Sequence, residues 1–241
     1  MLWIMHRFAE VFEEHAVLKG GMALRLMDCP RYTVDIDYVF VPFVSKQEVA
    51  ARVREVLGEI EDAEIDIRLH SKMLRAELRI DGAAVLIEAN VAERCPSIPM
   101  STGSFARSYG QPAQIVRIMS PAVALSHKLA AWNERRLLRD LYDCAFLSAR
   151  AGVVPDDEVL DARLSNIESR LPDMRRRRTM SRSDLATELR DGVNGLSDGD
   201  CERELSGLLP VNELAGLALR IRAAVAKLAD HLAGHGNPTA R

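Results

Sequence analysis

Two stretches decide the fold: LKGGMALRL at residues 18–26 and TVDIDYVFV at residues 33–41. The second alternates, and its non-acidic positions are mostly β-branched or aromatic, so it reads as a strand closed by Pro42. On a strand, Asp35 and Asp37 lie two apart and project from the same face. Like charges side by side are unfavourable unless a cation sits between them. A divalent metal is the simplest such cation, and hard Mg²⁺ prefers carboxylate oxygen. Alone, such a pair is most often plain solvated surface. The first stretch sharpens it, because Gly20-Gly21 follows an apolar step, Ala16 to Leu18, and opens a short helix that stops before Cys29-Pro30. Glycine lets backbone approach a phosphate closely, with helix N–H groups aimed at it.

Working outward, residues 5–15 have helical spacing with Phe8, Val11 and Phe12 on one face. Residues 45–60 predict an amphipathic helix with Ser45 as N-cap. Strands are expected at 64–69, 72–80 and 84–91, the last two joined by a hairpin turn at Asp81-Gly82. The last of them carries Glu88 in an apolar context, LIEAN, and could complete an acidic cluster if it neighbours the first strand. Residues 96–114, rich in Pro, Ser and Gly, read as a loop. From Pro121 the pattern is helical, with helices expected at 121–134, 136–150, 156–171, 182–192 and 210–233. The expected class is α+β: a small mixed β-sheet core flanked by helices over 1–118, an all-helical region over 119–234 and a disordered tail at 235–241.

The chain has 241 residues, 48% of them hydrophobic, enough for one large or two small cores. A net charge of −3 gives no global pull toward nucleic acid, so a polyanion must meet a local patch. The scattered Cys29, Cys95, Cys144 and Cys201 form no CxxC pair, which argues against zinc, a disulfide framework and redox chemistry. No apolar run is long enough for a membrane span, and the opening residues lack the pattern of a signal peptide, so a cytoplasmic location is expected. Ser126-His127 has no nucleophile-elbow context, which sets aside a hydrolase triad. Arg175 to Arg178 read as a solvated linker or as contacts to an RNA backbone. Trp3, Trp132 and His127 read as structural residues.

A second block, HKLAAWNERRLLRDLYDC at 127–144, places Lys128 on an apolar helix and pairs Arg136 with Asp140 and Arg139 with Asp143 at i,i+4. By itself it reads as a salt-bridged helix face. Together, the glycine pair, thirteen intervening residues, the D-I-D strand and the later h-E-h strand resemble the DNA polymerase β-like nucleotidyltransferase superfamily. More narrowly, residues 18–38 and 127–144 resemble the AbiEii/AbiGii toxin family, whose usual form is L-K-G-G-T-A-L followed by R-x-S-x-D-I-D and K-h-x-A…R-D-h-x-D. The resemblance spans roughly residues 10–150. Met22 and Thr33 stand where the family usually has Thr and Ser, and Glu88 lengthens the usual Asp arm by one methylene.

The resemblance implies a Mg²⁺-dependent transfer of a nucleoside monophosphate from an NTP to an acceptor. Asp35, Asp37 and Glu88 would hold metal, and Glu88 would also help deprotonate the acceptor hydroxyl. Lys19, Gly20, Gly21, Arg31 and Thr33 would bind the nucleotide, with Lys128 on its phosphates. Asp143 matches the family's essential late aspartate better than Asp140, which is then a further nucleotide-site residue. It also implies a toxin of type IV toxin–antitoxin or phage-defence logic, a cognate antitoxin and tRNA as the leading acceptor, ahead of protein self-modification. The competing readings are a non-catalytic nucleotide- or partner-binding relative and a small-molecule nucleotidyltransferase.

Overall fold

In a computed structural model the chain divides into two compact units, Met1–Ser120 and Pro121–Arg241. The structure describes residues 1–71, 73–169, 171–172 and 178–234. The expected tail at 235–241, Arg170 and Arg175 to Arg177 of the arginine cluster lie outside the described residues.

The first unit is built on seven strands: β1 (Ala16–Lys19), β2 (Asp35–Phe40), β3 (Glu64–Leu69), β4 (Leu74–Ile80), β5 (Ala83–Val91), β6 (Ser97–Ser101) and β7 (Ile115–Met119). They form one mixed sheet in the order β3-β4-β5-β2-β1-β7-β6. β2 runs parallel to β5 and β1 parallel to β7, while the other neighbours are antiparallel. Side chains alternate across a strand, so one face carries Leu18, Ile36, Tyr38, Phe40, Ile87, Leu74, Ala76 and Leu78, all buried. Helices α1 (Leu2–Phe12) and α3 (Lys46–Leu57) contribute Ile4, Met5, Phe8, Phe12, Val49, Val53 and Leu57 to the same core. Phe8 and Phe40 pack with ring centroids 5.9 Å apart, and Phe8 and Tyr38 at 5.1 Å. The opposite face of the sheet receives Asp35, Asp37 and Glu88.

Local signals explain most of these elements. Ser45 caps α3 by accepting from the Gln47 backbone N–H, and the Asp81-Gly82 turn closes a hairpin with Ile80 opposite Ala83. The stretch 96–114, expected as a loop, holds β6 and α4 (Gly103–Arg107), and β7 follows directly. β6 is a sheet edge, which is where a proline such as Pro99 is tolerated in a strand. β7 is short and lies between β1 and the edge strand β6, where pairing with β1 holds it.

The second unit holds α5 (Pro121–Arg135), α6 (Leu138–Ala145), a π-helical turn (Phe146–Arg150), α7 (Asp157–Leu164), α8 (Arg182–Val193), α9 (Asp198–Leu205), α10 (Val211–Leu214) and α11 (Leu217–Gly234). Four readings change here. The helix expected at 136–150 starts at Leu138, because Arg136 takes a left-handed φ of 55° between α5 and α6. The helix expected at 156–171 ends at Leu164. α9 was not expected, although Ser197 and Asp200 form a capping box at its start. The helix expected over 210–233 is interrupted at Gly216, whose φ is 64°. No described helix is long and apolar enough to cross a membrane.

Candidate active site

The glycine turn is set by contacts a larger residue could not make. Gly20 has φ of 67°, and a Cβ there would collide with the Asp37 carboxylate. At Gly21 a Cβ would come within 2.8 Å of both the Arg31 guanidinium and the Thr33 hydroxyl. The turn between β1 and the seven-residue helix α2 (Gly20–Leu26) is therefore packed directly on the strand that carries the acids. Arg31 is buried, with Nη1 donating to the Tyr32 carbonyl at 3.3 Å, and Thr33 Oγ1 lies 3.4 Å from the Asp35 carbonyl oxygen. Lys19 stands opposite Asp37 in the β1–β2 register. The structure thus brings together Lys19, Gly20, Gly21, Arg31, Thr33 and Asp37.

Asp35 follows two residues away on the same face and is exposed. Among the described residues its carboxylate has no ion-pair or hydrogen-bond partner. Glu88 lies directly across from Asp37 on β5. A third neighbour was missed from sequence: Arg75 on β4 lies directly opposite Glu88. Its Nε donates to Glu88 Oε1 at 3.0 Å and its Nη2 donates to the same oxygen. Counting outward from the Asp81-Gly82 turn would have found it, since that turn fixes the β4–β5 register. A transverse row therefore runs Arg68, Arg75, Glu88, Asp37, Lys19 across five strands.

The expected set of Asp35, Asp37 and Glu88 is not drawn into one group. Among the described residues, no three His, Cys, Asp or Glu side chains stand close enough together to hold a metal. Glu88 is instead ion-paired with Arg75. What remains is a pair of hard carboxylates on one strand face, one of them unpartnered. That donor set fits Mg²⁺, which takes one or two protein carboxylates and fills its shell with water and substrate phosphate.

The second unit holds its own charged cluster. Lys128 Nζ lies 2.6 Å from Asp143 Oδ2 and 3.5 Å from Asp140 Oδ1. Arg135 donates from Nε and Nη2 to the two oxygens of Asp140, at 2.7 and 2.8 Å. Both aspartates are 0% exposed, and the Lys128 side chain is 18% exposed. The pairs expected from helical spacing do not form. Arg136, outside the helix, turns instead to Glu188 at 2.7 Å and over the Trp132 ring at 4.3 Å, and Arg139 is exposed. Trp132 is buried, as expected of a packing residue, whereas Trp3 is 42% exposed. Burial, then the charges of Asp140 and Asp143, push the Cys144 thiol well above its usual value, and burial takes Cys201 up to about 11. Neither thiol is a nucleophile at neutral pH.

A mixed sheet with an acid-bearing strand packed on a Gly-Gly turn is a nucleotidyltransferase arrangement, and solved structures share the fold. MenT4, a nucleotidyltransferase toxin from Mycobacterium tuberculosis H37Rv, matches at 17% identity with a TM-score of 0.57, over 96% of this chain and 84% of that one. JHP933 from Helicobacter pylori matches at 17% identity with a TM-score of 0.54, over 96% and 90%. No curated protein matches the sequence. Residues 3–200 match the model of the family described as nucleotidyl transferase AbiEii toxin, type IV TA system. The chain belongs to that family and is a nucleotidyltransferase of the toxin–antitoxin kind.

Proposed function

We propose that the chain transfers a nucleoside monophosphate from an NTP to the end of an RNA, with tRNA as acceptor, in a Mg²⁺-dependent reaction that arrests growth in the cytoplasm and is countered by a cognate antitoxin. The observation that carries the reading is the Asp35 carboxylate, without a partner among the described residues, beside Asp37 on a strand against which the Gly20 turn is packed without room for a side chain. Mg²⁺ held there supplies positive charge to the triphosphate and to the oxygens that attack and leave.

The chain's own residues do the rest. Asp35 and Asp37 offer the carboxylate oxygens. Gly20 and Gly21 let main chain come close to phosphate, and Lys19 and Arg31 add cationic charge beside them, with the Thr33 hydroxyl as a further donor. By its resemblance to the family pattern Lys128 would meet the nucleotide's phosphates, and its ammonium is paired with Asp143 and Asp140. In the transfer a hydroxyl oxygen of the acceptor forms a bond to the α-phosphorus, the bond to the bridging oxygen breaks, and pyrophosphate departs. The acceptor proton leaves to solvent or to a carboxylate of the site. Rate enhancement of this kind is mostly positioning and electrostatics.

The test incubates the purified chain with total RNA and each of four α-phosphate-labelled NTPs, with Mg²⁺ and with chelator. Label is expected in the tRNA fraction, with Mg²⁺ only, and with one nucleotide preferred. Retained labelling by an Asp35→Ala, Asp37→Ala double variant would refute the site, and label in protein alone would refute the acceptor.

A further inference from the structure

Resting on the two-aspartate reading above, we infer that Arg75 is a positioning residue that withholds Glu88 from the metal site and so keeps the nucleotide-free protein's divalent affinity low. Three observations carry this. The register puts Arg75 across from Glu88 and Glu88 across from Asp37, so the glutamate stands between a cation on one side and the acidic strand on the other. Two guanidinium N–H groups converge on a single oxygen, Oε1, and so fix the direction in which the carboxylate points. Finally, no three-acid group forms among the described residues, although a longer arm at position 88 could reach toward its neighbour.

The consequence is electrostatic. Three carboxylates in a row would attract a free divalent ion strongly. With Glu88 neutralised by Arg75, the site presents two carboxylates, beside which Lys19 also stands. Such a site recruits its metal together with the negatively charged triphosphate rather than ahead of it. The partially exposed setting of the pair, with side chains 46% and 24% exposed, lets the bond exchange without unfolding the strand.

The experiment titrates Mn²⁺ into the full-length chain without nucleotide, reading bound ion by electron paramagnetic resonance, with thermal melts to confirm that each variant is folded. Arg75→Met is expected to tighten Mn²⁺ binding about tenfold, the scale on which one surface charge acts across a few ångström. Arg75→Lys keeps the cation and should stay near wild type. Glu88→Gln alone leaves the Arg75 cation unmatched beside the acids and should weaken Mn²⁺ binding by about tenfold at most, less than Asp35→Asn, which removes a ligand. Adding Glu88→Gln to Arg75→Met should cancel the gain. Unchanged or weaker binding in Arg75→Met overturns the inference, as does a loss in Glu88→Gln as large as that in Asp35→Asn. Asp35→Asn reports separately on the site itself: if it binds Mn²⁺ like wild type, the two-aspartate reading fails, whatever Arg75 does.

Discussion

Each unit carries a pair of aspartates, and the two pairs live under opposite physical conditions. Asp35 and Asp37 sit on an open sheet face, where Asp35 is exposed and has no partner among the described residues. Asp140 and Asp143 are fully buried and matched by Lys128 and Arg135. A carboxylate left uncompensated at a surface contributes little to folding and remains available to a ligand. A buried one is bound into its surroundings, and removing either partner strands a charge in the interior. Removing one of the exposed pair should therefore cost function alone, whereas removing one of the buried pair should cost stability as well as function.

The largest expected effect breaks function alone. Asp35→Asn should lower nucleotide transfer by about 10³-fold or more, the loss typical of removing a group that stabilises transition-state charge. Its melting temperature should fall by no more than about 2 °C, as for an ordinary surface substitution. A large fall in melting temperature would show that the two pairs do not differ as argued. Asp143→Ala removes the nearer partner of the Lys128 ammonium and should cost about 3 kcal/mol in denaturant unfolding, in addition to any loss of transfer. A neutral result there would mean that the cluster is not compensated in the interior.

Gly20→Ala sharpens the contrast from the backbone side. The new methyl collides with the Asp37 carboxylate and forces a non-glycine residue into a left-handed φ. Displacing that carboxylate by about an ångström should cost roughly 10²-fold in transfer rate. The smallest effect belongs to the surface of the helical unit. The Arg182 guanidinium holds the Asp161 carboxyl below its usual range, through side-chain bonds with donor–acceptor distances of 2.6 Å. A carboxyl whose folded value is depressed adds stability above its unfolded value, and that stability is lost as the pH falls through the folded value. Asp161→Asn should therefore cost a few tenths of a kcal/mol at neutral pH, discounted for exposure. The difference from wild type in melts should vanish under strongly acidic conditions.

How far the sequence showed this follows from which interactions are local. β2 and the glycine turn were legible because alternation and a Gly pair are short-range signals. α3 and the β4–β5 hairpin were equally legible from Ser45 and Asp81-Gly82. β7 was not, because it is only five residues long and its place is set by pairing with β1, about a hundred residues earlier. The second cluster was misread for a related reason. Helical spacing was extended through Arg136, but its left-handed backbone ends the register there, so Arg135 rather than Arg136 reaches Asp140. Arg75 was hidden only because the register count was not carried across the hairpin.

The parallel pairing of β1 with β7 has a bearing on synthesis. The strand that leads into the glycine turn is completed by residues 115–119, about a hundred positions later in the chain. Until the ribosome has passed that point, β1 is a bare border with its hydrogen-bonding groups open on one side. Every nascent fragment shorter than this lacks the strand that supports its glycine turn. A chain made in this order has no complete sheet until residue 119 has been added.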